Sequence, residues 1–127
     1  MNQLNVVFVE GNLVRDPTFS TTPNGAQVCT LCIATNRFFK QNGELKKEVS
    51  FFDIEVWGKE SESCLVLKKG HRVRIRGRLK QDRWTDAEGN KLVRVKILNE
   101  HIEFFPEKEN DGNMSESSIP FPQDYDL

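Results

Sequence analysis

The sequence predicts an all-β barrel of five strands carrying one short helix. Three observations lead there: five β-rich stretches that alternate apolar with polar residues, turn signals between them, and one segment with helical composition. The chain has 127 residues, 37% of them hydrophobic, enough for one modest core.

Residues 4–9 (LNVVFV) form the first expected strand, ending at Glu10-Gly11-Asn12, with Asp16-Pro17 a few residues on. Pro23-Asn24-Gly25 signals a turn before the second strand, 27–35. Asn42-Gly43 has the composition of a type I′ hairpin turn between the polar arms 37–41 and 44–48. The third strand is 49–57. Its alternation sends Phe52, Ile54 and Val56 toward the core and Phe51, Asp53, Glu55 and Trp57 outward. Residues 59–69 (KESESCLVLKK) are the helix candidate, closed by Gly70 as a left-handed terminal residue. Two strands follow, 72–81 and 91–104, joined around Trp84–Asn90 with Glu88-Gly89-Asn90 at the tip. Five long strands with a helix between the third and fourth is the order of an OB-fold, a five-stranded Greek-key barrel whose exposed face binds single strands.

Charge is unevenly placed. The whole chain has net charge −1 and a pI near 6.1. Residues 107–127, however, hold six carboxylates against Lys108, a net of −5, so residues 1–106 carry 17 basic and 13 acidic groups, a net of +4. The expected organisation is a basic domain, 1–106, followed by a disordered acidic tail, 107–127, whose few apolar residues show no period. Within that tail Ile119-Pro120-Phe121 is an apolar knot suited to a partner's pocket. Met1-Asn2-Gln3-Leu4 leads straight into a strand pattern, and no apolar run approaches the ~20 residues of a membrane span. Cys29, Cys32 and Cys64 are an odd set that fits reduced thiols. The expectation is a soluble, cytoplasmic protein that engages no membrane.

The stretch 72–79 (RVRIRGRL) alternates basic and apolar without a break. On a strand Val73, Ile75 and Leu79 enter the core while Arg72, Arg74, Arg76 and Arg78 form an outward ladder, ~6.8 Å apart, suited to a polyphosphate backbone. Such a row also protects a sheet edge. Phe51 and Trp57 stand on an outer face, where large aromatics need a partner: a stacked base, the 37–48 hairpin or another subunit. Phe38 and Phe39 lie between Arg37 and Lys40 beside one hairpin turn, and Arg83-Trp84 repeats the arrangement at the other. Cations interleaved with aromatics make an electrostatic groove with stacking platforms. Asp53 and Glu55 share that face and are candidates for cross-strand pairing with the arginine ladder.

Other chemistry finds little support. Cys29 and Cys32 are three residues apart on a strand and project to opposite faces, which excludes a shared metal or a disulfide. No phosphate loop, nucleophile motif or paired carboxylates stand out, so no catalytic residue, metal or cofactor is expected.

Over residues 4–105 the chain resembles bacterial single-stranded DNA-binding proteins. The matching elements are Val9-x-Gly11-Asn12-Leu13 with Asp16-Pro17, Pro23-Asn24-Gly25, Ala34-Thr35, Trp57-Gly58-Lys59, Lys69-Gly70, Gly77-x-Leu79 and Trp84-Thr85-Asp86. The resemblance implies an OB-fold that assembles as a homotetramer and wraps single-stranded DNA without sequence preference. It also implies stacking at Phe38 or Phe39, Phe51, Trp57 and Trp84, and tail-mediated recruitment of replication and repair proteins. The family pattern ends in Ile-Pro-Phe, whereas here Pro122–Leu127 follow Phe121.

The expected function is therefore non-enzymatic, sequence-independent binding of single-stranded DNA in replication, repair and recombination. Arg37, Lys40, Lys59, Arg83 and the arginine ladder would contact phosphates while Phe38, Phe39, Phe51, Trp57 and Trp84 stack bases. One rival is an OB-fold that binds RNA or serves a primosome-type assembly, since π-faces and phosphate contacts do not report the 2′-OH. The other is a scaffold whose aromatics are subunit contacts.

Overall fold

The computed structural model describes residues 1–105. The expected tail, with Ile119, Pro120 and Phe121, lies outside the described residues. The elements run β1 (Val7–Leu13), β2 (Thr18–Thr21), β3 (Gln27–Gln41), β4 (Glu44–Trp57), α1 (Glu60–Ser63), a 3₁₀ turn (Cys64–Val66), β5 (Arg72–Thr85) and β6 (Lys91–Phe104). The strands follow the order β1-β5-β6-β4-β3-β2, and β1 closes the barrel onto β3 through Asn12↔Ala34 and Leu13↔Ile33. The one parallel contact, β4 with β6 at Ile54↔Ile97 and Glu55↔Leu98, joins two antiparallel hairpins. This is the five-stranded OB barrel expected, with β2 as a short addition.

Alternation builds the core. Leu31 and Ile33 of β3, Ile54 and Val56 of β4, Val73 and Ile75 of β5 and Ile97 of β6 are buried together with Leu13, Cys29, Cys64 and Leu67. Cys29 meets Cys64 there, and its thiol is pushed far up, first by that hydrogen bond and then by burial. Cys32, on the other face of β3, is raised by burial and by the nearby Asp53 carboxylate.

Several expectations need correction. The first strand begins at Val7 and continues through Glu10-Gly11-Asn12, because those residues pair with Arg74, Val73 and Arg72 of β5. Gly11 permits this: a side chain there would strike the Ala34 carbonyl. The arms 37–41 and 44–48 are strand, in register with each other up to the Asn42-Gly43 turn, whose φ angles of 53° and 80° fit the type I′ reading. The helix is far shorter than 59–69. Ser61 Oγ and Ser63 Oγ donate back to the Gly58 and Glu60 carbonyls, and Lys59 provides no side-chain cap. The chain turns extended at Leu67, which enters the core. Gly70 has φ of 90° but closes a turn onto Leu13 rather than a helix.

β5 reaches Thr85, so Trp84 is a strand residue. Leu79 and Phe52 have the inward parity but are 47% and 36% exposed, because they lie where the barrel interior ends. Between Arg76 and Gly77 the β5–β6 register slips past Glu100, and the carbonyl of Leu98 occupies the space a Gly77 side chain would need.

Candidate nucleic-acid interface

Directly opposed residues share a face, so register assigns the sides of the sheet. Along the β3–β4 hairpin Phe38↔Lys47, Ala34↔Phe51, Cys32↔Asp53 and Val28↔Trp57 fall on the face away from the core. Phe39 and Arg37 fall on the reverse face, where Arg37 packs over the Phe39 ring at 4.9 Å and pairs with Glu48. The face of Phe38, Phe51 and Trp57 continues through Glu55↔Leu98 to β6, and through Leu98↔Arg78, Lys96↔Lys80, Arg94↔Asp82 and Leu92↔Trp84 to β5. Phe38, Phe51, Trp57 and Trp84 therefore stand on one continuous surface, 57%, 46%, 43% and 46% exposed.

Charges on this surface are paired. Arg94 Nη2 meets Asp53 Oδ2 at 2.7 Å, and the pair holds the Arg94 guanidinium above its ordinary value. Lys96 Nζ meets Glu55 Oε2 at 2.8 Å and Asp82 Oδ2 at 2.7 Å. Burial pulls Lys96 down, but the two carboxylates outweigh it and raise the ammonium. Asp82 is lowered, chiefly by its hydrogen bond from Lys96. Trp57 Nε1 donates to Glu55 Oε1 at 2.9 Å. Glu55, Trp57, Arg78, Lys80, Asp82 and Lys96 line a groove of about 480 Å³.

The arginine ladder is divided from this network. Arg72 and Arg74 grip Glu10 of β1 at 2.7 and 3.1 Å, and Arg74 also reaches Glu103 at 3.7 Å. Arg72 and Arg74 lie over the Phe105 ring at 4.1 and 5.3 Å. Desolvation raises Glu10, yet the two arginines lower it overall. Arg78 pairs with Glu100 at 3.6 Å, and Arg76 has no partner among the described residues. The expected pairing of Asp53 and Glu55 with this ladder does not occur, because the parallel β4–β6 contact brings them to Arg94 and Lys96 instead. Arg83 bonds only the neutral Gln81 side chain, while Lys40 and Lys59 are exposed with no ion pair among the described residues. Sequence reading missed Lys80, Arg94 and Lys96. The alternation of 91–97 (KLVRVKI) carries the signal for the last two.

The family model for the single-strand binding protein family matches residues 4–105. The chain belongs to this family. A single-stranded DNA-binding protein of Aquifex aeolicus is 40% identical over 101 residues, covering 78% of this chain and 68% of that protein. The chain spans about two thirds of the length of such curated relatives. Among solved structures, a deletion mutant of the single-stranded DNA binding protein from Thermus aquaticus superposes with a TM-score of 0.73 at 26% identity. It covers 81% of this chain and 51% of that one. The Plasmodium falciparum SSB, solved as a complex with ssDNA, superposes with a TM-score of 0.75 over 84% of this chain and 98% of its own, and at 23% identity it supports the fold alone. Among the described residues of this family member, no helix is long and apolar enough to cross a membrane.

Proposed function

We propose that this family member binds single-stranded DNA without sequence preference, and that the strand lies across the β3–β4–β6–β5 face. The observation that carries the reading is the set of four exposed rings, Phe38, Phe51, Trp57 and Trp84, on one unbroken surface. Every base has a π-face, so such rings stack any sequence, at about 1–3 kcal/mol per base. Phosphates would be met by Lys40, Lys59 and Arg83 at the margins, and by Arg78, Lys80 and Arg94 once Glu100, Asp82 and Asp53 yield them. The reverse-face Arg37 and Phe39, and the Arg72–Arg76 end of β5, would serve a strand that wraps beyond the face.

The protein would act in replication, repair and recombination in the cytoplasm, associated with the nucleoid and without enzymatic activity. We further infer a homotetramer. The edge of Val7–Val9 away from β5 pairs with no described strand, and Phe8 beside it is 73% exposed, which favours strand addition from a second copy. Ile119, Pro120 and Phe121 would recruit replication and repair proteins.

The test is intrinsic tryptophan fluorescence titrated with oligo(dT), oligo(U) and duplex DNA at two salt concentrations. Strong quenching by oligo(dT) that duplex does not compete away is the expected result. Preferential quenching by oligo(U) would move the reading to RNA. Unchanged fluorescence, with no binding by a second method, would make the aromatic face a protein interface.

A further inference from the structure

Trp57 is not free on the wall of its groove. Its Nε1–H donates to Glu55 Oε1 at 2.9 Å, two residues back on the same face of β4. The other carboxylate oxygen accepts from Lys96 Nζ at 2.8 Å, and Lys96 reaches Asp82 Oδ2 at 2.7 Å. The Lys96 side chain is only 12% exposed, so the lysine is immobilised between β4 and β5 and holds Glu55 in turn. By contrast, nothing among the described residues accepts from the Trp84 indole.

A carboxylate on a phosphate-binding face repels its ligand, so electrostatics alone disfavours Glu55 at this position. Its bond to the indole supplies a reason for it. We propose that Glu55 is a positioning residue: with Lys96 and Asp82 behind it, it fixes the plane of the Trp57 ring in the groove, ready to stack a base. The inference rests on reading this face as the single-strand interface. A ring already held gives up less rotamer freedom when a base lands on it. The general cost of immobilising such a side chain corresponds to ~2- to 10-fold in affinity.

The test uses Trp84→Phe as the parent, leaving Trp57 as the single indole of a chain that has two. Glu55→Gln and Glu55→Ala are made in that parent. Both remove the negative charge and its repulsion, but only glutamine keeps a side-chain oxygen that accepts from Nε1. Time-resolved fluorescence anisotropy of the DNA-free protein should show a restricted indole in the parent and in Glu55→Gln, and a fast depolarising component in Glu55→Ala. Glu55→Ala should then bind oligo(dT) ~2- to 10-fold more weakly than Glu55→Gln. Equal anisotropy in the two variants overturns the proposal, as does unequal anisotropy with equal oligo(dT) affinity. A wild-type chain that binds no oligo(dT) overturns the interface reading and this inference with it. That failure is seen before any variant is compared, and the anisotropy arm still reports whether Glu55 holds the ring.

Discussion

At the scale of single residues, the four rings of the face are not equivalent. Trp57 is hydrogen-bonded and set against the groove, whereas Trp84 opposes Leu92 near the end of its strand. Replacing Trp84 or Phe51 with Ala should weaken oligo(dT) binding by about 1–3 kcal/mol per stacked base. Isothermal titration of each variant checks this, and wild-type affinity in both would remove stacking from the mechanism. Phe39→Ala, on the reverse face, should cost less than Phe38→Ala when the two are titrated side by side with a short oligonucleotide. Glu10 gives a prediction about acid stability. Its carboxyl is held below the ordinary 4.5 by Arg72 and Arg74, so the unfolded chain binds the proton more readily than the native one. The contribution is complete above about pH 4.5 and is lost as pH falls through the native value. Urea midpoints at pH 6 and pH 3.5 should therefore fall further for wild type than for Glu10→Gln.

At the scale of elements, the β3–β4 hairpin depends on a two-residue turn with both residues at positive φ. Gly43→Val places a β-branched residue at φ of 80° and should lower stability by ~1–2 kcal/mol, measured by thermal or urea denaturation. This turn was fully legible in the sequence, because Asn-Gly chemistry is local. So was the facing of Arg72–Arg78 and of Phe51–Trp57, because a period of two survives wherever a strand forms. The extent of the strands was less legible. Phe52 and Leu79 alternate correctly, yet nothing local marks where the barrel interior stops. Thr18–Thr21 is exposed at every position, so β2 has no apolar alternation to announce it. The helix was overread because its serines bond back to carbonyls one turn earlier, a competition that composition does not reveal. Charges were visible but their partners were not: Asp53 and Glu55 find Arg94 and Lys96 through a parallel contact between strands some 40 residues apart in the chain.

At the scale of the whole molecule, pairing on the face governs the response to salt. A single strand that loses phosphate counterions contributes a log–log slope of about −0.7 per phosphate neutralised. A lysine that exchanges a carboxylate for a phosphate leaves that carboxylate to recruit a cation, so its net release is small. Asp82 also faces Lys80 at 3.9 Å, so Asp82→Asn should make the salt dependence of oligo(dT) binding steeper and the low-salt affinity higher; an unchanged slope would mean that Lys80 does not reach phosphate. The closure of the barrel has a separate consequence, in the order of folding. β3 with β4 and β5 with β6 are hairpins of neighbouring segments, whereas Val7 must find Gly77, seventy residues away, and β1 reaches β3 through only two residue pairs. Loop closure of that length comes late and slows barrels of this kind to about milliseconds to seconds. The two hairpins that carry the rings would therefore be in place while the hydrophobic interior is still open along β1, and during that interval the unfinished edge of one chain is available to another.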